Sequence, residues 1–177
     1  ALPLVYLGGV SAEERRLRLR ASELLVRTGH YVKGWALMRD VLETLGLKPP
    51  RSSRSATVAA NWRRVLFLLR AVPRIEGLSP ASGGHRERLD LLWSASHSMA
   101  AVDVPLADWL FTTLLQEVLR AGDLALMCRV LGYEVAFETH IGGALLERRT
   151  RALLPVLREL SIRRREPCCG HRRPWIA

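Results

Sequence analysis

Lysine is almost absent from this chain: Lys33 and Lys48 are the only two. The 27 basic residues are therefore nearly all arginine, against 17 acidic ones, and the formal charge is +10. An arginine bias also follows from a GC-rich gene, so it marks a phosphate-binding surface less firmly than mixed Lys/Arg clusters would. Aromatics are scarce at 6%. Leucine and alanine dominate instead, which favours helix over strand. The 3 cysteines are Cys128, Cys168 and Cys169. The last two are adjacent and poorly placed to bridge each other, so no disulfide framework is implied and a reducing cytosol is expected. No run of about 20 uncharged apolar residues occurs, which excludes a membrane-spanning helix. There is no signal-peptide layout at the start. A chain that opens on Ala1-Leu2-Pro3-Leu4 rather than Met is expected to be a fragment of a longer protein.

What is present is a succession of helical patterns. The 177 residues, 49% of them apolar, fit one domain or part of a solenoid. Residues 1–10 read as the end of a preceding element. Ser11 with Glu14 forms a capping box. The helix that follows places Leu17, Ala21, Leu24, Leu25 and Thr28 on one face, and Gly29 ends it. A second helix, about 31–45, lines up Trp35, Met38, Leu42 and Leu45 before Gly46 and Pro49-Pro50. Together they make an antiparallel hairpin of tetratricopeptide size. A third helix, about 56–71, carries Val58, Trp62, Val65, Leu66 and Leu69 on its expected core face. Gly and Pro in 72–85 predict a flexible loop.

The fourth helix, about 86–101, aligns Leu89, Leu92, Trp93, Ser96 and Ala100. Asp103-Val104-Pro105 is a strong helix start. The fifth helix is apolar nearly all round, from Leu106 to Leu119, and is expected to be buried between neighbours. Gly122 stops it and Asp123 opens a sixth, with Met127, Val130, Leu131 and Val135 inward. Gly142-Gly143 precedes a seventh, which Pro155 is expected to kink or to end near Leu154. From residue 161 the helical period is lost. Residues 161–177 read as a basic disordered tail, or as read-through from a shifted frame.

These patterns imply an all-α fold of about seven helices over 11–160, stacked as antiparallel hairpins in a short α-solenoid. Over about residues 11–154 the chain resembles the tetratricopeptide-like helical-repeat region of large bacterial serine/threonine protein kinases that also carry an AAA-type ATPase module. The residues that carry the resemblance are Leu24-Leu25, Gly29 and Gly34 leading to Leu45-Gly46-Leu47. More specific are Arg88, Asp90 and Trp93, then Asp103, Asp108 and Trp109, then Gly122 and Glu134. Residues 110–113, Leu-Phe-Thr-Thr, are less polar than in the family. The resemblance implies a signal-transduction role as a cytoplasmic protein-interaction or sensor segment. Its partner would be a protein, a peptide or neighbouring repeats of the same chain. The family's kinase domain is absent: there is no Gly-rich loop with a strand lysine, no His-Arg-Asp and no Asp-Phe-Gly. There is no Walker A sequence either. The chain is therefore expected to be no enzyme and to need no cofactor.

The remaining chemistry-bearing residues have plainer readings. Cys168, Cys169 and His171 lack the second ligand pair that a structural zinc wants. His85 and His97 have no catalytic partners in the sequence, and His140 suits a helix C-terminus. Glu134 and Glu138 sit one turn apart and are expected to find arginines, with Arg129, Arg148 and Arg149 nearby in sequence. Asp90 is expected to pair with Arg86 or Arg88, and Asp108 to favour a helix start. Arginine clusters at 15–20, 51–54, 63–64, 147–151 and 163–173 support a second reading, a basic helical nucleic-acid-binding domain. Their scatter and their interleaving with Glu argue for weak, non-specific binding only.

Overall fold

The computed structural model describes residues 11–69 and 83–165. Every regular element among them is helical: α1 (Ala12–Arg27), α2 (Tyr31–Thr44), α3 (Ser53–Leu69), α4 (Gly83–Ala100), α5 (Val104–Ala121), α6 (Leu124–Ile141) and α7 (Ala144–Arg165). The helix ends follow local chemistry. The Ser11 hydroxyl accepts the Glu14 N–H at 3.1 Å. The carboxylates of Asp103 and Asp123 accept the N–H groups of Leu106 at 3.0 Å and Leu126 at 2.9 Å. Each acid thus satisfies a first-turn donor with no intrahelical partner. Gly29 closes α1 at φ +86°, a left-handed conformation that costs glycine nothing.

Of the described residues, 11–63 and 83–113 form one compact unit, and 64–69 with 114–165 form a second. In the first unit, α1 packs against α2 and α4. Met38, Leu42, Leu89, Leu92, Met99 and Leu110 are fully buried there. In the second, α6 packs against α7, and Leu114, Leu115, Met127, Leu131, Leu153 and Leu160 are buried. Helix α5 is buried continuously from Trp109 to Leu115, as its all-round apolar pattern predicts. Thr112 and Thr113 enter that run because both hydroxyls donate to the Trp109 carbonyl, at 3.1 and 2.7 Å.

Two expected core faces are turned outward. On α1 the buried residues are Leu19, Ser22 and Val26, while Leu17, Ala21, Leu24 and Thr28 are exposed. On α3 they are Ala56, Ala60 and Phe67, while Val58, Trp62, Val65 and Leu69 are exposed. Backbone proximity accounts for the reversal on α1. A Cβ on Gly34 of α2 would stand 2.7 Å from Val26 Cγ2 and 2.9 Å from the Ser22 carbonyl oxygen. Only glycine permits that approach, and the close crossing at Gly34 turns the side of α1 that carries Ser22 and Val26 inward.

Other boundaries also move. Helix α4 begins at Gly83, inside the loop expected over 72–85, and residues 70–82 lie outside the described residues. Helix α7 passes Pro155 without ending and continues to Arg165, past the start of the tail expected from 161. Proline removes one backbone hydrogen bond, whereas Leu153 and Leu160 on either side of it are both fully buried and hold the helix in place. The added turn uses arginines, which are good helix formers, and its Ser161 hydroxyl donates to the Arg158 carbonyl at 2.7 Å. The expected leading element, 1–10, and the rest of the expected tail, 166–177, lie outside the described residues.

Candidate functional site

The more specific residues that carry the resemblance are spread over α4, α5 and α6 and the turns before and after α5. In the first unit, Asp103 joins three helices. Its Oδ1 caps α5, and its Oδ2 accepts the Tyr31 hydroxyl of α2 at 2.8 Å and the Ser53 hydroxyl of α3 at 3.3 Å. Burial, with the hydrogen bond and charge of Asp103 added, pushes the Tyr31 phenol up to about 12. Arg88 donates from Nη1 to the Leu45 carbonyl at the end of α2. Asp90 pairs with Arg86 one turn away, at 3.5 Å. Trp93 is half-buried and stacks on His97, with ring centroids 4.1 Å apart, and His97 Nδ1 lies 3.0 Å from the Trp93 carbonyl. His85 is exposed. Asp108, expected at the helix start, is the fifth residue of α5 and lies beyond its first turn, half-buried; Asp103 supplies the cap instead. Trp109 is buried, with the Arg63 guanidinium 5.5 Å from its ring centroid, and burial lowers the affinity of Arg63 for its proton. Gly122 has φ +71°, a left-handed stop for α5.

Glu134 belongs to the second unit, where it is 1% exposed and paired with Arg64 of α3 at 3.0 Å. This partner is an arginine distant in sequence, which the expectation of a nearby arginine did not include. Arg64 also lies 3.6 Å from the Phe137 ring centroid. Arg149 caps Phe67 in the same manner, 4.6 Å from the ring centroid, and donates to the Phe67 carbonyl at 3.1 Å. A charged pair at this depth is positioned by its neighbours and is suited to holding helices together. The side chains of Glu138 and His140, and all of Cys168, Cys169 and His171, lie outside what the structure describes. Cys128 is a half-buried thiol. Among the described residues no group of three His, Cys, Asp or Glu side chains is placed to hold a metal.

In the first unit a groove of about 210 Å³ lies between α1 and α4 and is lined by Arg16, Arg20, Glu23, Asp90 and Ser94 beside Leu19 and Leu91. Glu23 there accepts a hydrogen bond from Ser94. The chain matches no family model, curated protein or solved structure. The resemblance to the kinase-associated repeat region therefore rests on the residues quoted for it above.

What the first unit does offer is apolar surface in a regular pattern. On α1, Leu17 and Leu24 are 64% and 63% exposed, with Ala21 between them and Thr28 beyond. These residues are spaced four, three and four apart, the spacing of a helix–helix seam. On α3 the first unit exposes Val58 at 70% and Trp62 at 62% with the same four-residue step. Farther along that helix, within the second unit, Val65 and Leu69 are exposed as well. Sequence reasoning found all of these residues but assigned them to the interior. Periodicity identifies a row of side chains on a helix, and tertiary packing decides which way the row faces.

Proposed function

We propose that this chain is a non-catalytic helical interaction segment whose outward helix faces receive another protein, a peptide or a neighbouring repeat. The outward seam of α1 carries the reading. Burying a leucine fully contributes roughly 1.5–3 kcal/mol. Leu17 and Leu24 leave most of that unrealised, while α1 is already anchored on its opposite side by Leu19, Ser22 and Val26. Contiguous exposed apolar rows mark interaction sites on soluble proteins. Asp103 and Glu134 are engaged in capping and cross-helix pairing. A place in the repeat region of a multidomain bacterial kinase–ATPase is in keeping with this reading and is part of the proposal.

A photo-crosslinking residue placed at Leu24, or separately at Val58, tests it in the cell that makes the protein. Discrete protein adducts are expected from both positions. None is expected from Asp40, an exposed polar site on α2. Absence of adducts from both apolar positions would refute the interaction reading.

A further inference from the structure

The α1 seam is bordered on one side by a row of arginines. Arg20 and Arg27 lie four residues before and three residues after Leu24, and Arg16 lies four before Arg20. Side chains at these spacings are neighbours on a helix surface. All three arginines are exposed. None has a hydrogen bond or ion pair with a described residue. The other arginines of α1 behave differently: Arg15 is paired with Glu87 at 3.0 Å and Arg18 with Glu14 at 2.6 Å. Glu23 and Asp90, which line a groove with Arg16 and Arg20, are engaged by Ser94 and Arg86, and the exposed Glu13 lies three residues before Arg16 at the end of the row. A ridge of leucine therefore runs beside a line of cations that have no partner among the described residues.

Resting on the interaction reading above, we infer that α1 docks an acidic amphipathic helix. The occupant's apolar stripe covers Leu17, Ala21 and Leu24, and its glutamates or aspartates flank that stripe to meet Arg16, Arg20 and Arg27. Charge complementarity selects this occupant. A second copy of the chain would bring the same arginine row against this one, on molecules that each carry +10, and like charges across an interface oppose association. A nucleic acid would satisfy the arginines but leave the leucines in water, since phosphate contacts have no use for an apolar ridge. An acidic amphipathic helix satisfies both rows at once, with the apolar contact supplying affinity and the charges setting orientation.

The probe is a synthetic peptide of about three heptads, with Leu at the seam positions and Glu at the flanking ones. A second peptide has Lys in place of each Glu. Binding is read by fluorescence anisotropy to the full chain and to two double variants, Leu17→Ser/Leu24→Ser and Arg20→Glu/Arg27→Glu. The substituted side chains are exposed, so both variants should keep the wild-type helical circular dichroism and melting temperature. The Glu peptide should bind the wild type, and each variant should weaken it by about tenfold or more. The Lys peptide should bind only the charge-reversed variant, which makes the exchange of charge diagnostic.

The inference is overturned if the Glu peptide does not bind, if neither variant weakens it, or if the Lys peptide binds the wild type equally well. DNA-duplex binding lost on arginine reversal but kept in the serine variant, with no peptide binding, assigns the row to phosphate instead. A doubled mass in light scattering that Leu24→Ser restores to monomer assigns the ridge to a second copy. Should the peptide fail while adducts still form at Val58, the interaction reading stands and only the assignment of α1 falls.

Discussion

At the scale of single residues, the polar groups with the most work are Asp103 and Glu134. Asp103 accepts from α2, α3 and α5, and its hydrogen bond with Tyr31 has a spectroscopic signature. The phenol ordinarily titrates near 10.0 and here is pushed up to about 12. A folded-state value above the unfolded one means the neutral phenol is favoured by folding. That stabilisation is complete below the ordinary phenol range and is lost as pH rises through about 12. An ultraviolet titration of phenolate formation should therefore show a late-ionising component that Tyr31→Phe removes. Glu134 and Arg64 make a separate prediction. Glu134→Ala leaves a part-buried guanidinium without its carboxylate and should cost about 3–5 kcal/mol in urea unfolding. Arg64→Met combined with Glu134→Leu should cost clearly less than the sum of the single changes, because the two residues share one interaction that either change alone removes. The capping roles of Asp103 and Asp123 were legible in the sequence, since a cap is a local geometry. The Arg64–Glu134 pair was not, because the partners are 70 residues apart.

At the scale of elements, helix existence and helix ends follow from caps, glycines and periodicity, and the seven ranges lie close to those expected. The facing of α1 and α3 does not follow from those signals. Each helix carries two candidate rows, and on each the buried row, Leu19, Ser22 and Val26 on α1 and Ala56, Ala60 and Phe67 on α3, includes at least one large apolar residue. Reading hydrophobicity alone selects Leu17, Ala21, Leu24, Leu25 and Thr28, yet of these only Leu25 is half-buried, and the close crossing with α2 at Gly34 buries Leu19, Ser22 and Val26 instead. Gly34→Ala tests this account directly. The new methyl meets backbone at the Ser22 carbonyl and the Val26 nitrogen, 2.9 and 3.0 Å away, which cannot yield as a flexible side chain would. A loss of about 1–3 kcal/mol is expected in the unfolding midpoint, in the range of overpacked cores. Exposed Ala21→Gly should cost only about 1 kcal/mol, the helix-propensity difference. Equal losses at the two sites would show that α1 does not pack on α2 through its small residues.

For the whole molecule, the dominant property is its +10 charge, carried almost entirely by arginine. No described helix is long and apolar enough to cross a membrane. A strongly cationic surface attracts polyanions regardless of their sequence. Duplex DNA should be retained on filters at about 50 mM salt, and the retention should fall away by about 200 mM, with no preference among sequences. Binding that survives at the higher salt and discriminates between duplexes would instead favour a dedicated nucleic-acid domain. The amino-acid sequence by itself determined the helical class, the number of helices and most of their ends, because these depend on hydrogen-bond satisfaction and side-chain spacing within a few residues. Tertiary structure alone decided which helix rows are buried, which distant arginine neutralises Glu134, and that Asp103 gathers three helices. Those outcomes depend on how closely backbones approach and on which residues meet across long stretches of chain. The outward leucines of α1 are the result that bears most on function: the sequence pattern marks them as a seam, and only packing shows that, among the described residues, the seam faces outward.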